Sequence, residues 1–237
     1  MVSVGPYRGS LPFGSRGGRL VLLDRQPPFL CYIAAMELIP SQEEVLAILR
    51  KTGAMRDGHF LLPSGRHTDH YLQLPLAMRY YREAKTLSVA LSRLVRSDPE
   101  IARRLPKVSI VSLATGGIPV AYGLGEALRA SQIYWAEKVD DHLEFRQYME
   151  IHEQEQCLLV DDILRSGKML SQLRDLLQAR GARVLALAVI VHQPNVETVD
   201  FSPLPVYSLA RLQFNYWENE AGCPLCREKA PAVHVRV

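Results

Sequence analysis

Apolar residues along the chain fall into two kinds of segment, helical and strand-like. Helical spacing marks residues 42–53, 83–97, 120–130 and 169–180. Short runs rich in apolar residues mark 108–113, 131–136, 157–160 and 184–191 as strands. Apolar strands that alternate with helices are typical of a parallel sheet covered by helices on both faces. The pattern therefore predicts an α/β fold with a mostly parallel sheet.

The two ends of the chain differ from this middle region. Residues 1–35 are rich in glycine, arginine and proline, and charges interrupt their apolar parts, so we expect neither a signal peptide nor a folded element there. Ser41 and Glu44, shortly after Met36, form a helix-start signature. We infer a folded domain over residues 36–215, preceded by a disordered tail or a misassigned start and followed by a C-terminal tail over residues 216–237.

Charge and composition narrow the class of protein. The chain of 237 residues has a net charge of +3, and its basic residues are scattered among acidic ones, which favours a small anionic ligand over nucleic acid. No apolar stretch approaches the roughly 20 residues needed to cross a bilayer. Four cysteines do not make a disulfide framework in a chain of this length. We therefore expect a soluble, cytoplasmic protein that binds neither nucleic acid nor membrane.

Two strand-to-helix junctions carry the residues best suited to bind a ligand, because such junctions converge at one edge of a parallel sheet. In Leu113-Ala-Thr-Gly116-Gly117-Ile-Pro, paired glycines let the backbone approach a ligand closely. In Leu158-Leu-Val-Asp161-Asp162-Ile-Leu-Arg165-Ser166-Gly167-Lys168, adjacent carboxylates precede two cations, a hydroxyl and a flexible backbone suited to phosphate. Alternatively, the two carboxylates have only a structural role, as a loop pair that caps the next helix.

Taken in order, these motifs resemble the type I phosphoribosyltransferases, whose phosphoribosyl-diphosphate signature is similar to the second junction. Three stretches also follow the order found in orotate phosphoribosyltransferase: Gly58-His-Phe-Leu-Leu-Pro-Ser-Gly-Arg-His-Thr-Asp-His-Tyr-Leu-Gln, Ala114-Thr-Gly-Gly-Ile-Pro-Val-Ala-Tyr and Trp135-Ala-Glu-Lys. The resemblance covers roughly residues 42–195. It implies a small hood subdomain, formed by residues 42–80, beside the main domain.

The resemblance implies a Mg²⁺-dependent enzyme that transfers the phosphoribosyl group from phosphoribosyl diphosphate to a nucleobase and releases diphosphate. Orotate is the base it favours, which would give orotidine monophosphate in pyrimidine synthesis. The transition state at the anomeric carbon would be cation-like, so catalysis would rest on positioning and on neutralising the leaving group. The resemblance also implies a homodimer with sites shared across the interface.

The family's site residues carry over onto matching positions. Asp161 and Asp162 would hold the ribose hydroxyls, and one of them would assist a proton at the base. The implied contacts to phosphoribosyl diphosphate also include Thr115, Gly116, Gly117, Lys138, His142, Arg146, Arg165, Ser166, Gly167, Lys168 and Met169. The implied base contacts are Tyr71, Arg165 and Gln193. For His142 and Arg146, a role as solvated loop residues is an open alternative.

The chain departs from the family both in the phosphate loop and in the base half of the site. Typical members have two threonines and two glycines in the phosphate loop, where this chain has Arg165-Ser166-Gly167-Lys168. Orotate enzymes usually place an arginine for the substrate carboxylate where this chain has Gln193, and a neutral amide cannot supply that charge. Either His192 or Arg165 compensates, or the acceptor is a different base. A non-catalytic regulator that binds phosphoribosyl diphosphate is a further alternative. Such regulators generally add a DNA-binding module, and residues 1–35 are too short and too poor in helical pattern to form one.

Near the C-terminus, Cys223-Pro-Leu-Cys226 has the spacing of a zinc knuckle, and His234 is a candidate third ligand. A structural zinc site needs four ligands, and only three lie nearby in the sequence. The sequence therefore favours two reduced thiols over a zinc site.

Overall fold

The computed structural model describes residues 39–140 and 142–235. Its helices are α1 (Gln42–Lys51), α2 (Pro75–Met78), α3 (Tyr81–Arg96), α4 (Pro99–Ala102), α5 (Gly117–Leu128), α6 (Lys168–Ala179) and α7 (Pro224–Arg227). Its strands are β1 (Met55–Leu61), β2 (His67–Leu72), β3 (Ser109–Leu113), β4 (Ile133–Val139), β5 (His142–Glu144), β6 (Gln156–Leu164), β7 (Arg183–His192), β8 (Val206–Arg211), β9 (Tyr216–Trp217) and β10 (Ala232–His234). The expectations for residues 1–35 lie outside the described residues.

The larger sheet has six strands in the order β5-β4-β3-β6-β7-β8. All its neighbouring pairs are parallel except β4–β5, which form an antiparallel hairpin at one edge. The predicted α/β class with a mostly parallel sheet is therefore confirmed. Because β3 connects through α5 to β4 on one side and pairs with β6 on the other, the chain reverses its direction of winding between β3 and β6.

Two hydrophobic layers cover the faces of this sheet. Successive residues of β6 point to opposite faces, so Leu158 and Val160 join the layer of α1, α3 and α5, whereas Leu159 joins the layer of α6. Leu49 of α1 and Leu173 of α6, one from each layer, are fully buried. Burial on both faces explains why the strands are apolar throughout rather than alternating.

Identifiable contacts set the start of α1 and the end of β6. α1 begins after a complete capping box, in which the Ser41 amide donates to Glu44 Oε2 and the Glu44 amide donates to Ser41 Oγ. β6 runs four residues beyond its predicted end at Val160, because it stays paired with β7 as far as Leu164. Asp161 and Asp162 therefore lie within a strand and do not cap the following helix.

A second sheet of four strands has the order β10-β1-β2-β9. The predicted strands around Ser64 and Gly65 form its central hairpin. Its outer strands come from residues 216–217 and 232–234, within the segment that the sequence assigned to a C-terminal tail. β9 pairs antiparallel with β2 and β10 pairs parallel with β1. The small sheet therefore combines two strands from residues 42–80 with two strands from the C-terminal segment.

Among the described residues, no helix combines the length and apolar character required to cross a bilayer.

Candidate active site

A cleft of about 420 Å³ lies at the point where the winding of the large sheet reverses. Its walls come from the loop after β3, the end of β6, the start of α6, and the segment between β2 and α2. Ligands of open α/β sheets bind at this kind of position, because loops from two directions separate there. Both junctions singled out from the sequence thus contribute to one cleft.

Asp161 and Asp162 form the acidic centre of the cleft. The Asp162 amide donates to Asp161 Oδ1 at 2.9 Å, and the Ile163 amide donates to Asp162 Oδ1 at 2.8 Å. Burial raises the pKa of the Asp161 carboxyl well above its usual range, and the neighbouring Asp162 charge raises it further. Burial also raises the pKa of Asp162, against the lowering effect of the Ile163 hydrogen bond. The pair is therefore costly to ionise without a ligand that donates hydrogen bonds or carries positive charge.

Two glycines let the loop after β3 approach these carboxylates. A Cβ atom at Gly116 would lie 3.0 Å from Asp162 Oδ2, and one at Gly117 would lie 3.0 Å from Asp161 Oδ1. Such contacts are tighter than most real Cβ contacts, so a side chain at either position would displace a carboxylate, and glycine lets the backbone lie beside the acidic pair. Thr115 lies in the same loop and is exposed.

The predicted phosphate loop, residues 165–169, lines the other side of the cleft and leads into α6. Gly167 has φ +72°, and a Cβ there would lie 2.8 Å from Phe201 Cε2, so both backbone conformation and packing require glycine. A hydrogen bond fixes this loop to a later segment of the chain, because the Val199 amide donates to the Ser166 carbonyl at 2.9 Å. The amides at the start of α6 thus border the cleft, where they favour an anion.

Arg165 and Gln193 are directly joined in the structure. Arg165 Nε donates to Gln193 Oε1 at 3.0 Å, and Arg165 Nη2 donates to the Leu72 carbonyl at 3.3 Å. Gln193, which is buried, donates through Nε2 to the Tyr216 hydroxyl at 2.6 Å. The Arg165 guanidinium is therefore oriented by the backbone carbonyl of Leu72 in β2 and by the side chain of Gln193, just after β7. The Tyr216 hydroxyl of β9 in turn fixes Gln193.

His192, the other candidate for a positive charge, is not among the described residues that line the cleft. Burial lowers the pKa of its imidazole, and the charge of Arg211 lowers it further. Arg211 Nη1 lies 3.4 Å from His192 Nδ1 on the side of β8. Of the two candidates that the sequence offered for an anion partner, Arg165 is thus the one that borders the cleft.

Other predicted site residues lie away from the cleft of their own chain. Lys138 and His142 are exposed on the β4–β5 hairpin, and Arg146 follows it. Arg146 is engaged by Glu137, with Nη2 2.6 Å from Glu137 Oε2. Tyr71 packs its ring against Phe60, with centroids 5.6 Å apart, and is not among the described residues that line the cleft.

A second polar cluster lies in the small sheet. His59, His67, Cys223 and Cys226 bring four potential ligand atoms within 4.8 Å of one another. His234, the sequence-based candidate, is exposed on β10 and does not belong to this cluster. That assignment is corrected, since the residues that accompany the cysteines are His59 and His67. Sequence spacing alone could not reveal them, because β1 and β2 lie more than 150 residues earlier in the chain.

Comparison with curated proteins finds relatives that share one name. A curated protein of Heliobacterium modesticaldum named orotate phosphoribosyltransferase is 33% identical over 193 residues, which are 81% of this chain and 96% of that protein. One of the same name from Caldanaerobacter subterraneus is 31% identical over 192 residues, covering 81% and 95%. No family model matches the chain.

Solved structures share the fold. The crystal structure of orotate phosphoribosyltransferase from Aeropyrum pernix superposes with a TM-score of 0.58 at 20% identity, covering 71% of this chain and 93% of that one. The Mycobacterium tuberculosis enzyme in complex with inorganic phosphate gives a TM-score of 0.53 at 22% identity, covering 72% and 95%. Both likenesses confirm the predicted fold.

Proposed function

Because the chain belongs to the orotate phosphoribosyltransferase family, as its motifs predicted, we propose that it transfers the phosphoribosyl group from phosphoribosyl diphosphate to orotate. The products are orotidine monophosphate and diphosphate. The observation that carries this proposal is the cleft in which the acidic pair faces the loop at the start of α6. The names of the relatives do not favour another acceptor or a non-catalytic regulator.

The reaction breaks the bond between the anomeric carbon and diphosphate oxygen and forms a bond from that carbon to a ring nitrogen of the base. The ring nitrogen loses its proton in this step, assisted by Asp161 or Asp162. Asp161 and Asp162 accept hydrogen bonds from the ribose hydroxyls, which compensates for the burial of their charge. Their negative charge also favours the cation-like sugar of the transition state. The amides of residues 166–169 hold the 5-phosphate, so the anomeric carbon is kept beside the base.

Magnesium dependence is part of the proposal. A carboxylate pair whose pKa is raised by burial is suited to a divalent cation, and oxygen ligands are those that Mg²⁺ prefers. When bound there with the substrate, Mg²⁺ would supply positive charge to the leaving diphosphate.

Arg165 is proposed to bind the carboxylate of orotate. The family's usual arginine is replaced by Gln193, and Gln193 in turn accepts a hydrogen bond from Arg165. A guanidinium is thus retained beside the cleft, although it comes from a different position in the chain. Arginine is well suited to this task, because it pairs with a carboxylate through two parallel hydrogen bonds.

A homodimer is proposed as well, with Lys138 acting on the diphosphate in the partner's cleft. Lys138 does not line the cleft of its own chain. The exposed aromatic residues Tyr81 and Tyr122 border a groove of about 400 Å³ between α3 and α5, which is the kind of surface that a partner covers. The proposal includes a cytoplasmic location, since four cysteines in 237 residues fit a reducing compartment.

The shared site can be tested by mixing two inactive homodimers, Asp162→Asn and Lys138→Ala. If Lys138 acts across the interface, subunit exchange restores one intact cleft in each mixed dimer, and activity returns. If Lys138 acts within its own chain, mixing restores nothing.

The reaction itself is tested by incubating the purified chain with phosphoribosyl diphosphate, Mg²⁺ and one base at a time from orotate, uracil, adenine and hypoxanthine. Diphosphate release is measured, and omission of Mg²⁺ is the control for metal dependence. We expect release with orotate and loss of that release without the metal. Release with a base other than orotate, or release in the absence of any base, would overturn the proposal.

A further inference from the structure

The His/Cys cluster of the small sheet, defined as His59, His67, Cys223 and Cys226, is outside the cleft and has no part in the reaction proposed above. His59 Nε2 lies 2.8 Å from His67 Nδ1, 3.7 Å from Cys223 Sγ and 3.5 Å from Cys226 Sγ. Cys226 Sγ lies 3.4 Å from His67 Nδ1. Two nitrogens and two sulfurs therefore surround one point.

Three of these four separations match tetrahedral coordination, and the fourth is slightly short. Zinc binds histidine nitrogen at about 2.0–2.1 Å and cysteine sulfur at about 2.3 Å, so its ligand atoms lie about 3.3–3.8 Å apart in a tetrahedron. Both Cys226 separations and the His59–Cys223 separation fall in or near this range. The two histidine nitrogens need to move apart by only about 0.5 Å to fit it.

The histidine that contacts both sulfurs is already oriented as a metal ligand. His59 Nδ1 lies 3.0 Å from the Ala230 carbonyl, which accepts hydrogen bonds only, so Nδ1 carries the proton. The lone pair is then on Nε2, the atom that points at the other three residues. A carbonyl that fixes the tautomer of a ligating histidine is a regular feature of zinc sites.

We propose that this cluster is a structural zinc site. Two thiolates with two imidazoles are a usual donor set for Zn²⁺, and four protein ligands leave no position for substrate or water. The site is also closed, since His59, His67 and Cys223 are all buried. Binding releases the two thiol protons, so two thiolates, two neutral imidazoles and one Zn²⁺ form a neutral group in the interior.

The metal would join parts of the chain that are far apart in sequence. His59 and His67 come from the central hairpin. Cys223 directly precedes the short helix α7 and Cys226 lies within it, and this helix comes between the outer strands β9 and β10 in sequence. These outer strands are short and make few ladder hydrogen bonds of their own. A zinc ion at this point would hold the C-terminal segment against the hairpin.

The alternative states of the same residues are a Cys223–Cys226 disulfide and two reduced thiols. Metal content distinguishes them from the proposal, because neither alternative retains zinc. We therefore propose measuring zinc by inductively coupled plasma mass spectrometry in the full chain, purified without metal addition or an affinity tag. We expect about one zinc per chain.

Two variants and one matched control locate the ion. His59→Ala and Cys226→Ser should each lower the zinc content at least tenfold. His234→Ala, which changes an exposed histidine of the same sheet, should keep the full content. Equal loss in all three would overturn the assignment of ligands, as would full retention in all three.

A second measurement on the unaltered chain keeps the test valid if the variants do not fold. After zinc is removed with a chelator under reducing conditions, Co²⁺ is added and the visible spectrum recorded. Intense d–d bands with thiolate charge transfer are expected for a tetrahedral site with two cysteines. A chain that holds no zinc and gives no such spectrum would overturn the proposal, including when mass spectrometry finds Cys223 and Cys226 in a disulfide. No substrate is involved, so the outcome is independent of the reaction.

Discussion

The cleft and the His/Cys cluster are two groups of polar residues in one chain with opposite properties. The cleft is open, and its two carboxylates lie side by side, where burial and the Asp162 charge raise the pKa of Asp161. The cluster is closed, and its four members contact one another and the backbone. The difference separates residues arranged for a ligand that comes and goes from residues arranged to hold the chain together.

The two arrangements also differ in their effect on the stability of the folded chain. Burial raises the pKa of both aspartates, so their charged forms destabilise the folded chain until a ligand binds. The cluster contains groups that become mutually neutral on binding one metal ion. We therefore expect changes in the cleft to affect catalysis most and changes in the cluster to affect stability most.

The largest expected effect is that of Asp162→Asn on catalysis. The amide keeps an oxygen for the Ile163 hydrogen bond but lacks the negative charge that favours the cation-like sugar. Acid–base and electrostatic contributions of one group are typically about 10²–10⁴-fold, so we expect kcat to fall by at least about 100-fold. The zinc content should not change. Full activity in a steady-state assay would remove the acidic pair from the mechanism.

The next largest effect is expected from chelation of zinc. A ligand held at about 1,000 times its dissociation constant stabilises the fold by about 4 kcal/mol, and 1 kcal/mol shifts the Tm of a domain of this size by about 2–4 °C. We therefore expect chelation to lower the Tm by roughly 10 °C in differential scanning calorimetry. The His234→Ala chain should show the same decrease, and a Tm that is insensitive to chelator would argue against a structural ion.

Asp161→Asn should raise the Tm in the same calorimetric assay. A carboxyl with a raised pKa in the folded state contributes stability at low pH, and this contribution is lost as the pH rises through the raised pKa. The uncharged amide avoids the loss, so the variant should be more stable than the parent chain at pH 8, with a higher Tm. The gap should close at acidic pH, and a variant less stable than the parent at pH 8 would contradict the argument.

The smallest effect is expected where the small sheet contacts the residues that orient Arg165 in the cleft. Tyr216 lies in β9 of the small sheet and accepts a hydrogen bond from Gln193, which orients Arg165. Tyr216→Phe removes one neutral hydrogen bond, typically about 1 kcal/mol, so the KM for orotate should rise about fivefold. The KM for phosphoribosyl diphosphate should stay the same. Equal changes in both KM values would indicate a general loss of structure.

Local motifs allowed much of the large sheet and its cleft to be predicted. Asp161, Asp162 and Gly167 lie within one short segment, and their junction could be recognised because a strand, a loop and a helix follow one another in sequence. The strand end was misplaced, since pairing with β7 extends β6 to Leu164 and this pairing leaves no local signal.

The small sheet could be predicted only in part. Its central hairpin carries a turn signal at Ser64 and Gly65, but β9 and β10 are only two and three residues long, too short to produce a periodic pattern. The association of His59 with Cys226 depends on a contact across 167 residues. The same holds for Arg165 and Gln193, which were noted separately in the sequence and are joined only by the fold.

The central claim is that this chain uses orotate and recognises its carboxylate through Arg165. The most direct measurement is the ratio of kcat/KM for orotate to that for uracil, which lacks the carboxylate, in the parent chain and in Arg165→Gln. Lys168→Gln is the matched control, because Lys168 is a cation of the same loop that pairs with Glu197. A charged hydrogen bond contributes about 1.5–3 kcal/mol, so Arg165→Gln should lower the ratio about 10–150-fold. Lys168→Gln should reduce both rates and leave the ratio unchanged. A ratio that Arg165→Gln does not change would contradict the account.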